Sequence, residues 1–326
     1  MKFGATCLVF VLGCSSPAVE APAPIVSAPA PAPAKVSADD AYRLAVASMS
    51  DTSNPAYGPE TVKWLTVAAE QGHPESQAHL GFALAVGRGA PADSQAAVHW
   101  LTSAAEQGIP MAAYNLASMV ERGEGTRRDP ELAAKWYRLA AGGGQVAARK
   151  RLGMLLVESN PREAMEWLLG PAMEGDADAQ FLMGWMHGTG RGIEPDLSEA
   201  ARWYGMAAEQ GDPRAQYNLG VLYSKGEGVD ADMEVAYEWI GRAAAQGQPK
   251  AMESLARMTA RGDGVDADRN VAADLCYRAG LAYAQSPDAQ VDARRCLERA
   301  YVLFEGSDDE RAAAMPELQA TLERLP

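Results

Sequence analysis

Residues that do chemistry are scarce in this chain. It has four histidines and four cysteines in 326 residues. None of the histidines, His73, His79, His99 and His187, falls in a His-Glu-x-x-His pattern or joins a Cys/His cluster with zinc spacing. Gly-x-Ser-x-Gly, the P-loop and the dinucleotide fingerprint are missing too, since Gly188-x-Gly190-x-Gly192 has no strand before it. Asp230-x-Asp232-x-Glu234 starts like a calcium loop. It has Val235 and Gly241 where that loop needs glycine and glutamate, so a loop and helix cap is the better reading. Bases are few: 29 Lys and Arg against 43 Asp and Glu give a net charge of −14, which repels a phosphate backbone and argues against nucleic acid as a partner. No catalytic residue, metal site or cofactor is expected.

The apolar run Phe3 to Leu12, preceded by Lys2, stops far short of the roughly 18–20 residues that span a bilayer, and reads as a secretion signal. It ends at Val11-Leu12-Gly13-Cys14, which resembles the bacterial lipobox. That resemblance implies a signal peptide over 1–13 and lipid attachment at Cys14, and Ser15 after the cysteine implies the outer membrane. An ordinary signal cleaved nearby is the alternative. Residues 14–37 are rich in Ala and Pro, with Pro22, Pro24, Pro29, Pro31 and Pro33, and suit an extended, flexible linker.

Beyond residue 38 the chain repeats. Trp64, Trp100, Trp136, Trp167, Trp203 and Trp239 follow one another at intervals of 36, 36, 31, 36 and 36 residues, the mark of a repeat array. Other landmarks recur in step. Asp93, Asp129, Asn160, Asp196, Asp232 and Asp268 stand where a side chain caps a helix, and Pro130 and Pro161 follow at the first helical position. Paired alanines (68–69, 104–105, 140–141, 207–208, 243–244) lie one turn after a tryptophan, and Gly72, Gly108, Gly144, Gly175, Gly211 and Gly247 stop the helix.

Glycine loop, Asp cap, Trp and Ala-Ala together resemble the Sel1-like repeat family, a relative of the tetratricopeptide repeat. The resemblance covers about residues 38–285. It implies an all-α fold: an α-solenoid of about seven helix-turn-helix repeats forming a right-handed superhelix whose concave face binds proteins or peptides. Past Ser286 the period is lost, Leu275 holds the seventh ladder place, and residues 286–326 read as C-terminal capping helices over about 288–305 and 308–324.

Two copies depart from the pattern. The fourth lacks five residues between Gly153 and Asn160, and with them the Gly-x-Gly turn; it also carries Gly170-Pro171 inside helix B. A bend in the superhelix or neutral decay of one repeat would account for it. The first copy has Ser50-Asp51-Thr52-Ser53-Asn54 in place of the glycine loop, as suits an N-terminal cap. Cys276 and Cys296 lie symmetrically about Ser286-Pro287, so a helical hairpin brings them to one height, either as a disulfide or as two buried thiols.

The function expected is a non-catalytic scaffold tethered to the cell envelope, periplasmic or surface-facing, that binds an envelope protein or peptide. Tyr114, Phe181, Trp185, Tyr217 and Tyr223 on the first helices of their repeats are candidate anchors, unless they serve only as packing between repeats. A cell-wall or glycan-binding scaffold, with tryptophans as stacking platforms, is the alternative. Hydrolysis in the manner of cysteine-rich Sel1-like proteins acting on β-lactams is a weaker one, because those carry a cysteine pair in nearly every repeat.

Overall fold

Each repeat folds because its ends are locally determined. The computed structural model describes residues 36–50, 57–305 and 315–325; the expectations for Cys14, for residues 1–13, for nearly all of the linker and for the first-copy loop lie outside them. The first helices of the repeats, here called A, are α1 (Ala38–Ser50), α3 (Pro74–Val86), α5 (Pro110–Arg122), α7 (Val146–Leu156), α9 (Ala177–Thr189), α11 (Pro213–Lys225) and α13 (Pro249–Arg261). Their B partners are α2 (Pro59–Glu70), α4 (Ser94–Glu106), α6 (Pro130–Gly142), α8 (Pro161–Met173), α10 (Leu197–Glu209), α12 (Met233–Ala245) and α14 (Arg269–Ala284). A short 3-10 turn (Pro287–Ala289), α15 (Gln290–Phe304) and α16 (Met315–Arg324) follow.

All six expected caps are made: Asp93 accepts from the Ala96 amide at 3.0 Å and Asp129 from Leu132 at 2.9 Å, and Asn160, Asp196, Asp232 and Asp268 do the same for their helices. The six glycine stops have positive φ. The paired alanines are buried, so consecutive helices approach closely. On helix A a small residue meets a bulky one on helix B: a Cβ at Gly220 would lie 2.6 Å from Ile240 Cγ1. Pro171 sits near the end of α8, and the helix runs on to Met173.

Neighbouring A helices touch directly (α3 with α5, α7 with α9, α9 with α11), whereas B helices meet the next B helix at most marginally. A stack with that asymmetry curves, with the A helices inside. The described body is an α-solenoid.

Glutamines tie some repeats together. Gln77, Gln180 and Gln216 are buried, and each side-chain amide donates to the carbonyl of an alanine in the preceding B helix, at 3.0–3.1 Å. Each also accepts from a glutamine 30 residues on: Gln107, Gln210 and Gln246. Satisfying a buried amide in this way avoids a penalty of about 1–3 kcal/mol. The equivalent places around the fourth repeat hold Ala113 with Gly143 and Arg149 with Glu174, so the joint is not made there.

Near the N-terminal end, Tyr57 Oη and His79 Nδ1 are 2.7 Å apart, and burial holds the His79 pKa below the ordinary imidazole value against the pull of Glu75. Folding therefore favours neutral His79. Its contribution to stability is full above the unfolded value of about 6.5 and is lost as pH falls through the lower folded value. Between about pH 7.5 and 5 the melting temperature of the wild type is expected to fall more than that of His79→Gln. Parallel pH profiles would rule this histidine out.

Candidate functional site

The inner face of α5 to α13 carries a ladder of its own. Stepping by the repeat intervals from Tyr114 leads to Lys150, Phe181, Tyr217 and Glu253, one register position on five successive A helices. Around these side chains lies a network of charge. Tyr137 donates to Glu121 Oε2 at 2.8 Å, and Arg151 Nη2 reaches the same oxygen at 3.0 Å. Burial, reinforced by Glu121 and opposed by Arg151, pushes the Tyr137 phenol up to about 12, so it stays a donor.

Lys150 Nζ bonds Asp176 at 2.8 Å and Asp178 at 3.2 Å. Burial opposes its charge, but the two carboxylates win and its pKa is raised. Arg214 grips Asp178 at 2.7 Å and Asp212 at 2.5 Å, and its guanidinium lies 4.2 Å from the centre of the Phe181 ring. That hydrogen bond from Arg214, helped by Lys150 against burial, holds Asp178 below the usual carboxylate range. Arg191 lies 5.3 Å from the Trp185 ring centre and pairs with Glu158. Between the third and fifth repeats a cavity of about 540 Å3 opens, lined by Tyr114, Lys150, Arg151, Pro171, Glu174 and Asp176 among others.

All five candidate anchors are half-buried. Tyr114 tilts against Tyr137 with ring centres 5.7 Å apart, and Phe181 against Tyr204 at 5.8 Å. Trp185 packs on two neighbouring core clusters, Tyr223 does likewise, and the Tyr217 hydroxyl is 3.5 Å from Ser254 Oγ. Each therefore packs between repeats with one part and faces solvent with another. Lys150, Arg151, Asp178 and Arg214 were not singled out from sequence, although the 31-residue step from Lys150 to Phe181 and the 36-residue step from Asp178 to Arg214 would have found all but Arg151.

Of the ladder tryptophans only Trp203 is buried; Trp64, Trp100, Trp136, Trp167 and Trp239 keep part of their rings exposed. Burial thus removes Trp203 alone as a glycan platform. Cys276 and Cys296 are free and buried on adjacent helices, and burial pushes the thiols up to about 11 and about 12. Neither is a ready nucleophile. Among the described residues no group of three or more His, Cys, Asp or Glu is placed to hold a metal ion.

The sequence matches the Sel1 repeat model at residues 59–73, 74–109, 110–145, 149–169, 177–212, 213–248 and 249–283. No protein of curated function matches it. Among solved structures it is similar to a protective antigen of uropathogenic Escherichia coli displaying an SLR fold, with a TM-score of 0.66 and 24% identity over 89% of this chain. The chain spans 65% of that protein's length. It is also similar to a Sel1 repeat protein from Oxalobacter formigenes, with a TM-score of 0.62 and 28% identity over 86% of each chain.

Proposed function

We propose, on the premise that the chain belongs to the Sel1 repeat family, that it is a non-catalytic scaffold whose inner A-helix face holds a protein or peptide partner. The observation that carries this is the register ladder Tyr114, Lys150, Phe181 and Tyr217 on successive A helices. It offers aromatic faces and paired charges in alternation, at a spacing set by the stack. A partner lying along the face meets a ring, then an ammonium, then a ring under a guanidinium, which suits a peptide with both apolar and charged side chains. Glu121, Asp176 and Asp178 are already held by Arg151, Lys150 and Arg214, so the face presents its charges in pairs.

The scaffold is held at the envelope by a lipid on Cys14, probed by labelling with a clickable fatty acid. The label should be lost in Cys14→Ala, and labelling that persists would remove the anchor. Outer-membrane localisation and a periplasmic or surface-facing body follow from the same N-terminal motif and are part of the proposal.

Photo-crosslinking in envelope extract from a benzoylphenylalanine at residue 181 tests the face. A discrete adduct is expected, weakened about tenfold when Lys150→Glu and Arg214→Glu are combined, with the circular dichroism spectrum unchanged. Turnover of a cell-wall substrate by a protein that forms no adduct would overturn the reading.

A further inference from the structure

The fourth-repeat deletion leaves its clearest mark on the repeat before it. Elsewhere the second glycine of each Gly-x-Gly loop is pressed backbone to backbone on the first turn of the previous B helix. Gly89 lies on the start of α2, Gly125 on Ser94 of α4, Gly192 on Pro161 of α8, Gly228 on Leu197 of α10 and Gly264 on Met233 of α12. A Cβ at Gly89 would stand 2.6 Å from the Tyr57 carbonyl oxygen, so at these seats only glycine fits. The start of α14 is covered differently, by Arg269 donating to the Val302, Leu303 and Glu305 carbonyls at the end of α15. Of the seven B helices, α6 alone has no such cover among the described residues.

In its place is a cavity of about 780 Å3, bounded by Arg127, Arg128, Pro130, Glu131 and Ala134 on one side and Leu155, Leu156 and Glu158 on the other. The seat's chemistry has changed with its vacancy. The two residues before the capping aspartate are Pro91-Ala92, Glu194-Pro195, Asp230-Ala231 and Asp266-Ala267 in the other loops, and Arg127-Arg128 here. Both arginines are exposed. Arg128 spends its Nε on the Glu121 carbonyl at 3.1 Å, and Arg127 has no partner among the described residues. In a chain of net charge −14, the one vacant seat is thus the one flanked by two cations.

We propose that this seat on the first turn of α6 docks an acidic, glycine-containing loop of a protein partner, which takes the place of the missing loop. The seated loops show what such a segment looks like. In three of the five, after Gly192, Gly228 and Gly264, the glycine is followed by a β-branched residue, as in Val229, which packs on the core formed by α10 and α11, and then by an acid, as in Asp230. At α6 the β-branched side chain would fill the space beside Ala134, Leu155 and Leu156, and the acid would meet Arg127 and Arg128. This surface lies in the loop layer, apart from the inner A-helix face, and neither proposal depends on the other.

The probe is a fluorescent peptide with the sequence of the seated loop 226–232, Gly-Glu-Gly-Val-Asp-Ala-Asp, titrated into the full chain and followed by anisotropy. Saturable binding is expected, weakened about tenfold or more by Arg127→Glu with Arg128→Glu. A chain with the five missing residues restored before Asn160 should not bind it, because its own loop fills the seat. An all-alanine replacement of the first two glycines of the peptide should also fail. Absence of binding to the wild type, or equal binding to the loop-restored chain, would overturn the proposal. So would a concentration-dependent dimer that the arginine reversals abolish, since the occupant would then be a second copy.

Discussion

Trp203→Ala is expected to destabilise the protein by about 3–5 kcal/mol, whereas Trp64→Ala and Trp239→Ala should each cost only about 1–2 kcal/mol. The three tryptophans hold the same place in the period, and the difference comes from what covers them. Trp203 on α10 is 2% exposed and sits in the core cluster that runs through the middle repeats. Removing it leaves a cavity that rigid neighbouring helices cannot close. Trp64 and Trp239 are only partly buried, with Lys63 Nζ 4.9 Å from one ring and the Arg242 guanidinium 4.4 Å from the other. Truncating them removes area without opening a void. Urea unfolding of the three variants checks this, and equal losses would mean that the ladder position alone sets the energy.

What was legible in the sequence was whatever a repeat decides within itself. An Asp or Asn cap, a glycine stop and a pair of alanines act over one helical turn, so the period and the helix ends could be read directly, and the caps from Asp93 to Asp268 are made as expected. Contacts between repeats were harder to read. Gln77 and Gln107 look like ordinary surface residues until the stack brings them together at 2.7 Å across 30 positions. Lys150 looks like any solvated surface lysine, although it stands in register with Tyr114 and Phe181. The loss of five residues before Asn160 was visible, but its consequence falls on Pro130 and Arg127 in the preceding repeat, where nothing is missing. Local pattern shows what an element is; only the stack shows what that element leaves uncovered.

The second large effect separates backbone strain from crowding. Gly228→Ala is expected to cost about 3–5 kcal/mol, the sum of about 1–2 for placing an L side chain in the left-handed region and of an overpacking penalty of similar or larger size. Gly228 has φ +76°, and its Cβ would run into the Leu197 carbonyl and stand 2.7 Å from the Ser198 amide, both backbone groups of the first turn of α10 that no rotamer change can move aside. Gly247 has φ +86° and nothing within 4 Å of a Cβ, so Gly247→Ala should cost only the conformational part, about 1–2 kcal/mol. The two glycines are interchangeable by sequence rule, since each closes a helix or its loop. They differ in that one touches another repeat. If thermal and urea unfolding return the same loss for both, the seat on α10 is looser than its geometry requires, and the requirement for glycine in any loop taking the vacant seat on α6 falls with it.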